Sequence, residues 1–291
     1  GVQFKNWNGV GLIPFASGSY GIQFDTTKFP QFIIPRLHKM YSNFSEKVRT
    51  VKKIKSLGRK VSLDGEEYDF VVDCRGYPED YSDYIISDKV YLDSAIAIRS
   101  YTPGDWEYTY HIAHKHGWMF GLPLQSRTGW GYLYNSKLTS QLEAQDDVAR
   151  ILEEYQVEFH SKDCREFSFK NYYAKSVMNE DGNIFVNGNR ALFLEPIQAT
   201  SLGCYGLINE MILDRIENDR YDNENYRKIM TEVIAFINLH YYNGSDFDTP
   251  FWNMAKQGAR DLFKGMDVSK YDWNHILDWN PQFRRQMFDN F

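Results

Sequence analysis

The chain has 291 residues, a formal net charge of −6, 43% hydrophobic residues and 16% aromatic residues. This is a globular composition with an aromatic surplus, long enough for one large domain or two modest ones, and its mildly acidic balance argues against a nucleic-acid surface. No apolar run approaches the roughly 18 residues of a membrane span, and three widely spaced cysteines, Cys74, Cys164 and Cys204, point away from a disulfide framework and toward a reducing, cytoplasmic setting.

In chain order, GSYGIQFDTTKFPQFIIPRLHKMY (18–41) predicts a short strand, a capped turn and a helix despite its prolines. The alternation over 47–74, turned at LDGEEY, predicts a β-hairpin leading into a buried strand, Phe70–Val72. Cys74, just after it, reads as a small buried residue, and KKIKSLGRK as a solvated basic face. YHIAHKHGWMFGLPL and GWGYLYNS read as aromatic-rich strands in which His114 and His116 share a face and His111 points away. No cysteine or acid completes a metal set there. Residues 140–156 predict a helix with Leu142, Val148, Ile151, Leu152 and Tyr155 on one face and acids opposite.

GNIFVNG then predicts a buried strand, followed by two long helical stripes: Leu202, Tyr205, Ile208, Ile212, Ile216 and Tyr226, Met230, Val233, Ile237, Tyr241. From Phe251 the pattern is helical with loops and ends in Trp273, Trp279 and Phe291. The expected organisation is an α/β module over residues 1–210 and a helical region over 211–291 packed on it. Neither a GxGxxG turn nor a P-loop occurs.

The stretch FLEPIQATSLGCYGLI (193–208) runs from a strand through one proline into a helix. A helix start leaves unpaired N–H groups and a partial positive charge, so Thr200 or Ser201 can cap it, or its amides can hold an anion. The simple alternative is a capped helix with Glu195 as a solvated or dipole-paired acid. Gln198 is neutral and cannot act as a general base, although it can donate and accept hydrogen bonds.

Four ordered stretches resemble the flavin-dependent tryptophan halogenase family. HGWMFGLPLQSRTGWGYLYNSK (116–137) is similar to its GWxWxIP motif and following strand pair, and GNRALFLEPIQATSL (188–202) to its GxxxxFLEPLESTxI. FINLHYYNGSDFDTPFW (236–252) is similar to its HY…DTPFW helix end, and YDFVVDCRGY (68–77) to a strand shared with related flavin monooxygenases. The resemblance implies an α/β FAD-binding module of the monooxygenase and halogenase type with a C-terminal helical substrate-binding region. It also implies a chemistry in which reduced FAD and oxygen convert a halide ion to hypohalous acid, which travels to a separate aromatic pocket. A flavin reductase would supply the reduced FAD, and the substrate would be a small indole-, phenol- or pyrrole-like compound. No nucleic acid or membrane partner is implied, and a homo-oligomer is allowed.

Residue by residue, the resemblance puts Trp118 and Pro123 in the wall between flavin and substrate, with Phe120 replacing the second tryptophan of the motif. Thr200 and Ser201 fall where backbone amides bind halide, Leu202 and Asn189 at flavin contacts, and Val48 at a flavin contact near the adenine. Gln198 takes the place of the family's active-site glutamate, and Ala199 that of its serine. The family's first strand, glycine turn and catalytic lysine lie upstream of anything in these residues. The expectation is therefore a piece of a longer protein that does not hold FAD well by itself. Two rival readings remain: a same-fold flavin monooxygenase or oxidase without halogenation, favoured by Gln198, and a degenerate non-catalytic module, favoured by the missing nucleotide loop.

Overall fold

A computed structural model describes residues 1–14 and 21–266. The expected strand start at 18–20 and the aromatic tail with Trp273, Trp279 and Phe291 lie outside the described residues. Strands β1 (Val2–Lys5) and β2 (Leu12–Ile13) precede helix α1 (Phe29–Met40), which begins with Pro30 in its first turn, where a missing N–H costs nothing. A small meander follows: β3 (Ile54–Ser56), β4 (Val61–Leu63) and β5 (Glu66–Tyr68), with β6 (Val71–Asp73) and β7 (Tyr84–Ile86) after it. Then come the long strands β8 (Ser94–Ser100), β9 (Thr109–His114), β10 (Gly117–Leu124) and β11 (Arg127–Tyr134). Helix α2 (Gln141–Glu154), β12 (Cys164–Ser168), β13 (Tyr172–Ala174), β14 (Ile184–Val186) and β15 (Leu192–Phe193) lead to helices α3 (Thr200–Asn218), α4 (Asn223–Asn243) and α5 (Pro250–Gly265).

The main sheet has the order β12-β8-β11-β10-β9-β1-β2, antiparallel throughout except for the parallel β1–β9 pair. Both of its faces are covered, so alternate residues of one strand enter different cores. On β10, Trp118 packs in the core shared with α3, α4 and α5, while its neighbour Met119 packs in the core beneath α2. Helix α2 is fixed by a capping box: the Glu143 N–H donates to Ser140 Oγ, and the Ser140 N–H donates to Glu143 Oε2 at 2.8 Å. Such a cap contributes about 1 kcal/mol. Helix α4 is buried along most of its length, and Trp252 of α5 donates its indole N–H to the His114 carbonyl at 2.7 Å, tying the helices to the sheet.

Several sequence expectations are corrected. Leu142 lies in the exposed first turn of α2, outside the stripe that buries Val148, Ile151 and Leu152. Asp147, expected among the solvated acids, is buried because Tyr132 of the sheet donates to it. Phe70 and Val72 are exposed because, among the described residues, β6 pairs with β14 alone. Cys74 is exposed beyond the end of that strand. His114 and His116 do not share a strand face, because the β9–β10 turn falls between them; instead His111 and His114 are buried on opposite faces of the sheet. Leu202 and Ile216, at the two ends of α3, are exposed, and its buried stripe is Cys204, Ile208 and Ile212.

Candidate active site

The sheet presents an aromatic wall to the start of α3. Trp118 is fully buried and stacks on His111 of the neighbouring strand, with centroids 5.1 Å apart and planes at 17°. Phe120 lies across from Gly131 in the β10–β11 pair, and any side chain at Gly131 would enter the Phe120 ring. The same strand pair sets Gly121 opposite Trp130, so each glycine gives its room to an aromatic ring. Pro123, near the end of the same strand, also borders the cavity in front of α3.

The junction itself is unusual. After Pro196 the chain makes a single 3₁₀ turn over Ile197–Ala199, and both Gln198 (φ 50°, ψ 29°) and Ala199 (φ 55°, ψ 33°) are left-handed. Each costs a residue with a Cβ roughly 1–2 kcal/mol, so something must hold them. Two contacts do. The Gln198 backbone N–H donates to His111 Nε2 at 3.1 Å, and the side-chain amide meets His240 Nε2 of α4 at 2.9 Å.

The expected cap at Thr200 or Ser201 is not made. Ala199 occupies the cap position and offers no side-chain acceptor. The left-handed Ala199 starts the helix early enough that Thr200 and Ser201 fall inside its first turn. There the Thr200 hydroxyl donates to the Ile197 carbonyl and the Ser201 hydroxyl to the Leu194 carbonyl. The anion-attracting end of α3 is thus left without a side-chain cap.

Both histidines are neutral near pH 7. Burial lowers His111 to about 3 and His240 to about 4, and the proximity of His240 adds to the effect on His111. His240 Nδ1 lies 3.0 Å from the Phe236 carbonyl and is assigned as the protonated nitrogen, which leaves Nε2 as an acceptor for the Gln198 amide N–H. Glu195, three residues before Gln198, is fully buried instead of solvated. The Tyr241 hydroxyl donates to its Oε1 at 2.6 Å, and the Glu195 N–H donates to Asn171 Oδ1. Burial pushes its pKa up to about 7 against the opposing contacts of Tyr241 and the Trp118 indole.

A cavity of about 900 Å³ opens in front of this junction, lined by Gln198, Ala199 and Leu202 on one side and by His111, Phe120 and Pro123 on the other. The structure therefore brings together Gln198, Phe120, Pro123 and Leu202, with Trp118 behind the wall and Thr200 and Ser201 in the adjoining first turn. It does not bring in Val48, which is 99% exposed in a stretch without helix or strand and lines no part of the cavity. Asn189 lies off the cavity too, with its Oδ1 accepting from the Tyr205 hydroxyl of α3 at 2.6 Å. Sequence reasoning missed His111, His240 and Tyr241 as parts of one constellation. The alternation of β9 could have placed His111 beside Trp118, but nothing local links either to α4.

A model of the tryptophan halogenase family matches residues 14–267. Over 212 residues the chain is 26% identical to the tryptophan 7-halogenase RebH of Lentzea aerocolonigenes, covering 65% of this chain and 38% of that protein. The fold is similar to that of a tryptophan halogenase from Shewanella frigidimarina, with a TM-score of 0.67 and 18% identity, covering 92% of this chain and 62% of that one. It is also similar to the flavin-dependent halogenase Xcc4156 of Xanthomonas campestris, with a TM-score of 0.64 and 21% identity, covering 82% of this chain and 52% of that one. The chain thus spans less than two thirds of the length of each of these proteins.

Proposed function

Because the chain belongs to the tryptophan halogenase family, we propose that the protein halogenates an aromatic compound with reduced FAD, oxygen and halide. One observation carries this reading: the uncapped start of α3 adjoins a cavity whose opposite wall is the Phe120–Pro123 strand. The residues present fit the ring end of a flavin. Phe120, Leu122 and Pro123 offer apolar lining, and Leu202, 59% exposed, stands at the cavity beside the helix start. Val48 and Asn189 take no part in that fit. When bound, reduced FAD supplies the electrons that turn oxygen and halide into hypohalous acid and water.

This chain's own residues hold, orient and exclude. The Thr200 N–H and hydroxyl both donate to the Ile197 carbonyl and the Ser201 hydroxyl to the Leu194 carbonyl, so the halide is attracted by the first-turn backbone amides of α3 from Ser201 onward. Trp118, Phe120 and Pro123 screen the aromatic substrate from the flavin and keep bulk water out. Gln198 orients the reactants by hydrogen bonding and takes no proton. The substrate is an indole-, phenol- or pyrrole-like compound, and a flavin reductase supplies the reduced FAD. The test gives the full translated protein a flavin reductase, FAD, chloride or bromide and a panel of such aromatics. Products carrying the halogen isotope pattern are expected. Hydroxylated products, or flavin turnover with no halide dependence, would overturn the reading.

One observation favours a second reading. Gln198 is bonded to a neutral histidine where the family motif has a glutamate, which suits a flavin monooxygenase or oxidase without halogenation. The same assay separates the two, because oxygen and not halogen would then appear in the product.

A further inference from the structure

Charge is distributed unevenly along this chain. Residues 47–60 hold seven lysines and arginines and no acid in a chain of net charge −6, so the remainder carries −13. The small meander displays this excess on one face. Lys53, Lys55 and Leu57 alternate with Ile54 and Ser56, so their side chains share the outer face of β3, and Ser62 of β4 stands opposite Lys55. The inner face is anchored: Val61 is fully buried, and the Ser56 hydroxyl donates to Asn183 Oδ1 at 3.3 Å. A groove of about 520 Å³ is bordered by Thr50, Lys52, Lys53, Lys55, Ser62 and Asp64. Its cations are not spent within the chain. Lys47 and Arg49 share Glu66, and Lys60 pairs with Asp69, but Lys52, Lys53 and Lys55 are exposed and make no ion pair among the described residues. Asp64, the one acid among the lining residues, accepts the backbone N–H groups of Lys52 at 3.1 Å and Lys53 at 2.8 Å. Three cations thus face one anchored carboxylate.

We propose that this groove is a docking surface for the carboxylate-rich face of an acidic protein partner. Charge complementarity carries the choice of partner, and the lining rules against other polyanions. No aromatic ring borders the groove, so nothing there stacks a base, and the −13 of the remaining chain repels a long nucleic acid. Leu57 is its one large apolar side chain, too little to enter a bilayer. A compact acidic surface meets the lysines without running along the rest of the chain. Lysine ammonium groups take carboxylates as point charges, without the paired geometry that arginine imposes. Such a surface chiefly speeds and orients encounter.

The test titrates the full translated protein into a fluorescent oligoglutamate peptide and reads binding by anisotropy. The peptide should bind at low salt and lose roughly tenfold in affinity between about 20 mM and about 200 mM salt. Replacing three lysines together, Lys52→Glu, Lys53→Glu and Lys55→Glu, should weaken it by roughly tenfold or more. The same charge change at three exposed lysines elsewhere, Lys137→Glu, Lys162→Glu and Lys264→Glu, should weaken it less than about twofold. Circular dichroism checks that each variant folds. If the groove triple does not, glutamine at the same three positions should still cost about threefold. No peptide binding at low salt would overturn the proposal. So would equal losses in the two glutamate triples, since net charge alone would then be acting. Tighter binding of duplex DNA, phosphatidylserine vesicles or inorganic pyrophosphate than of the peptide would overturn it as well, because the groove would then belong to a different anion.

Discussion

The two faces of the main sheet bury the same kinds of residue and use them differently. On the α2 face, His114 stacks on Tyr132 with centroids 3.8 Å apart, Tyr132 donates to Asp147 at 2.9 Å, and Arg150 pairs with the same carboxylate at 2.9 Å. Burial alone would raise the Asp147 pKa, but Arg150, His114, Tyr132 and Lys115 together hold it below the usual value. On the α3–α4 face, Glu195 has a tyrosine in place of a cation and sits at about 7, while His111 and His240 clasp a glutamine at the edge of a cavity. One network closes a charge into the core, and the other sets two neutral histidines at the edge of a cavity that Glu107 and Arg127 also line. The lesson is that burial and residue type do not identify a site, since each face leaves a buried histidine nitrogen without a partner; what differs is the cavity that opens beside one of them.

The largest expected effect comes from neighbouring residues on β10 that face opposite ways. Trp118→Ala should cost about 3–5 kcal/mol and Met119→Ala about 2–5 kcal/mol, since both side chains are fully buried. Chemical denaturation measures both losses. Only Trp118→Ala should also change flavin affinity, because only Trp118 backs the cavity wall beside His111. If Met119→Ala alters binding as strongly, the separation of the two faces is wrong.

Much of this contrast was legible in the sequence, and the limits have physical causes. The strands around GWMFGLPL and GWGYLYNS follow from their aromatic-rich, glycine-interrupted runs, and α2 to α4 from apolar stripes. The 193–208 junction was visible as a strand-to-helix turn, and the family resemblance marked Gln198, Phe120 and Pro123, which the fold gathers on one cavity. The left-handed pair at Gln198 and Ala199 was not legible, because neither residue advertises positive φ as glycine does. Nor was the His240 contact, 42 residues away along the chain, since tertiary packing alone creates it. In HIAHKH, spacing assigned faces as though one strand ran through all three histidines; the turn before Gly117 broke that phase.

Glu195 and Asp147, a buried carboxylate on each face, sharpen the comparison through pH. Glu195 has a folded pKa of about 7, above its ordinary 4.5, so the folded state binds the proton more tightly. Relative to a neutral isostere its contribution is unchanged below pH 4.5, falls as pH rises from 4.5 to 7, and stays about 3 kcal/mol lower above that. Asp147 has the opposite sign. Its folded pKa lies below 3.8, so its stabilisation is present above 3.8 and is lost as pH falls through the folded value. At pH 8, Glu195→Gln should therefore raise the unfolding free energy, with the gain vanishing by pH 4.5, whereas Asp147→Asn should lower it at pH 8. Urea titrations at both pH values decide the matter, and a destabilised Glu195→Gln at pH 8 would contradict the assignment of an uncompensated acid on the pocket face.

The smallest effect tests the junction most directly. Ala199 is exposed at φ 55°, a conformation that strains a residue with a Cβ and suits glycine. Ala199→Gly removes that strain but adds conformational freedom to the unfolded chain, which offsets roughly 0.5–1 kcal/mol of the gain. The net expectation is a stabilisation of about 1 kcal/mol or less, seen as a small rise in the thermal midpoint. The α2 face holds the opposite case: there Gly121→Ala would drive a Cβ into the Trp130 ring and lower the midpoint. Because His111 and His240 clamp Gln198 from outside the turn, the gain at residue 199 should leave flavin affinity unchanged. A stabilised Ala199→Gly that also loses affinity would show that the left-handed alanine, and not the pair of histidines, keeps the amide in place.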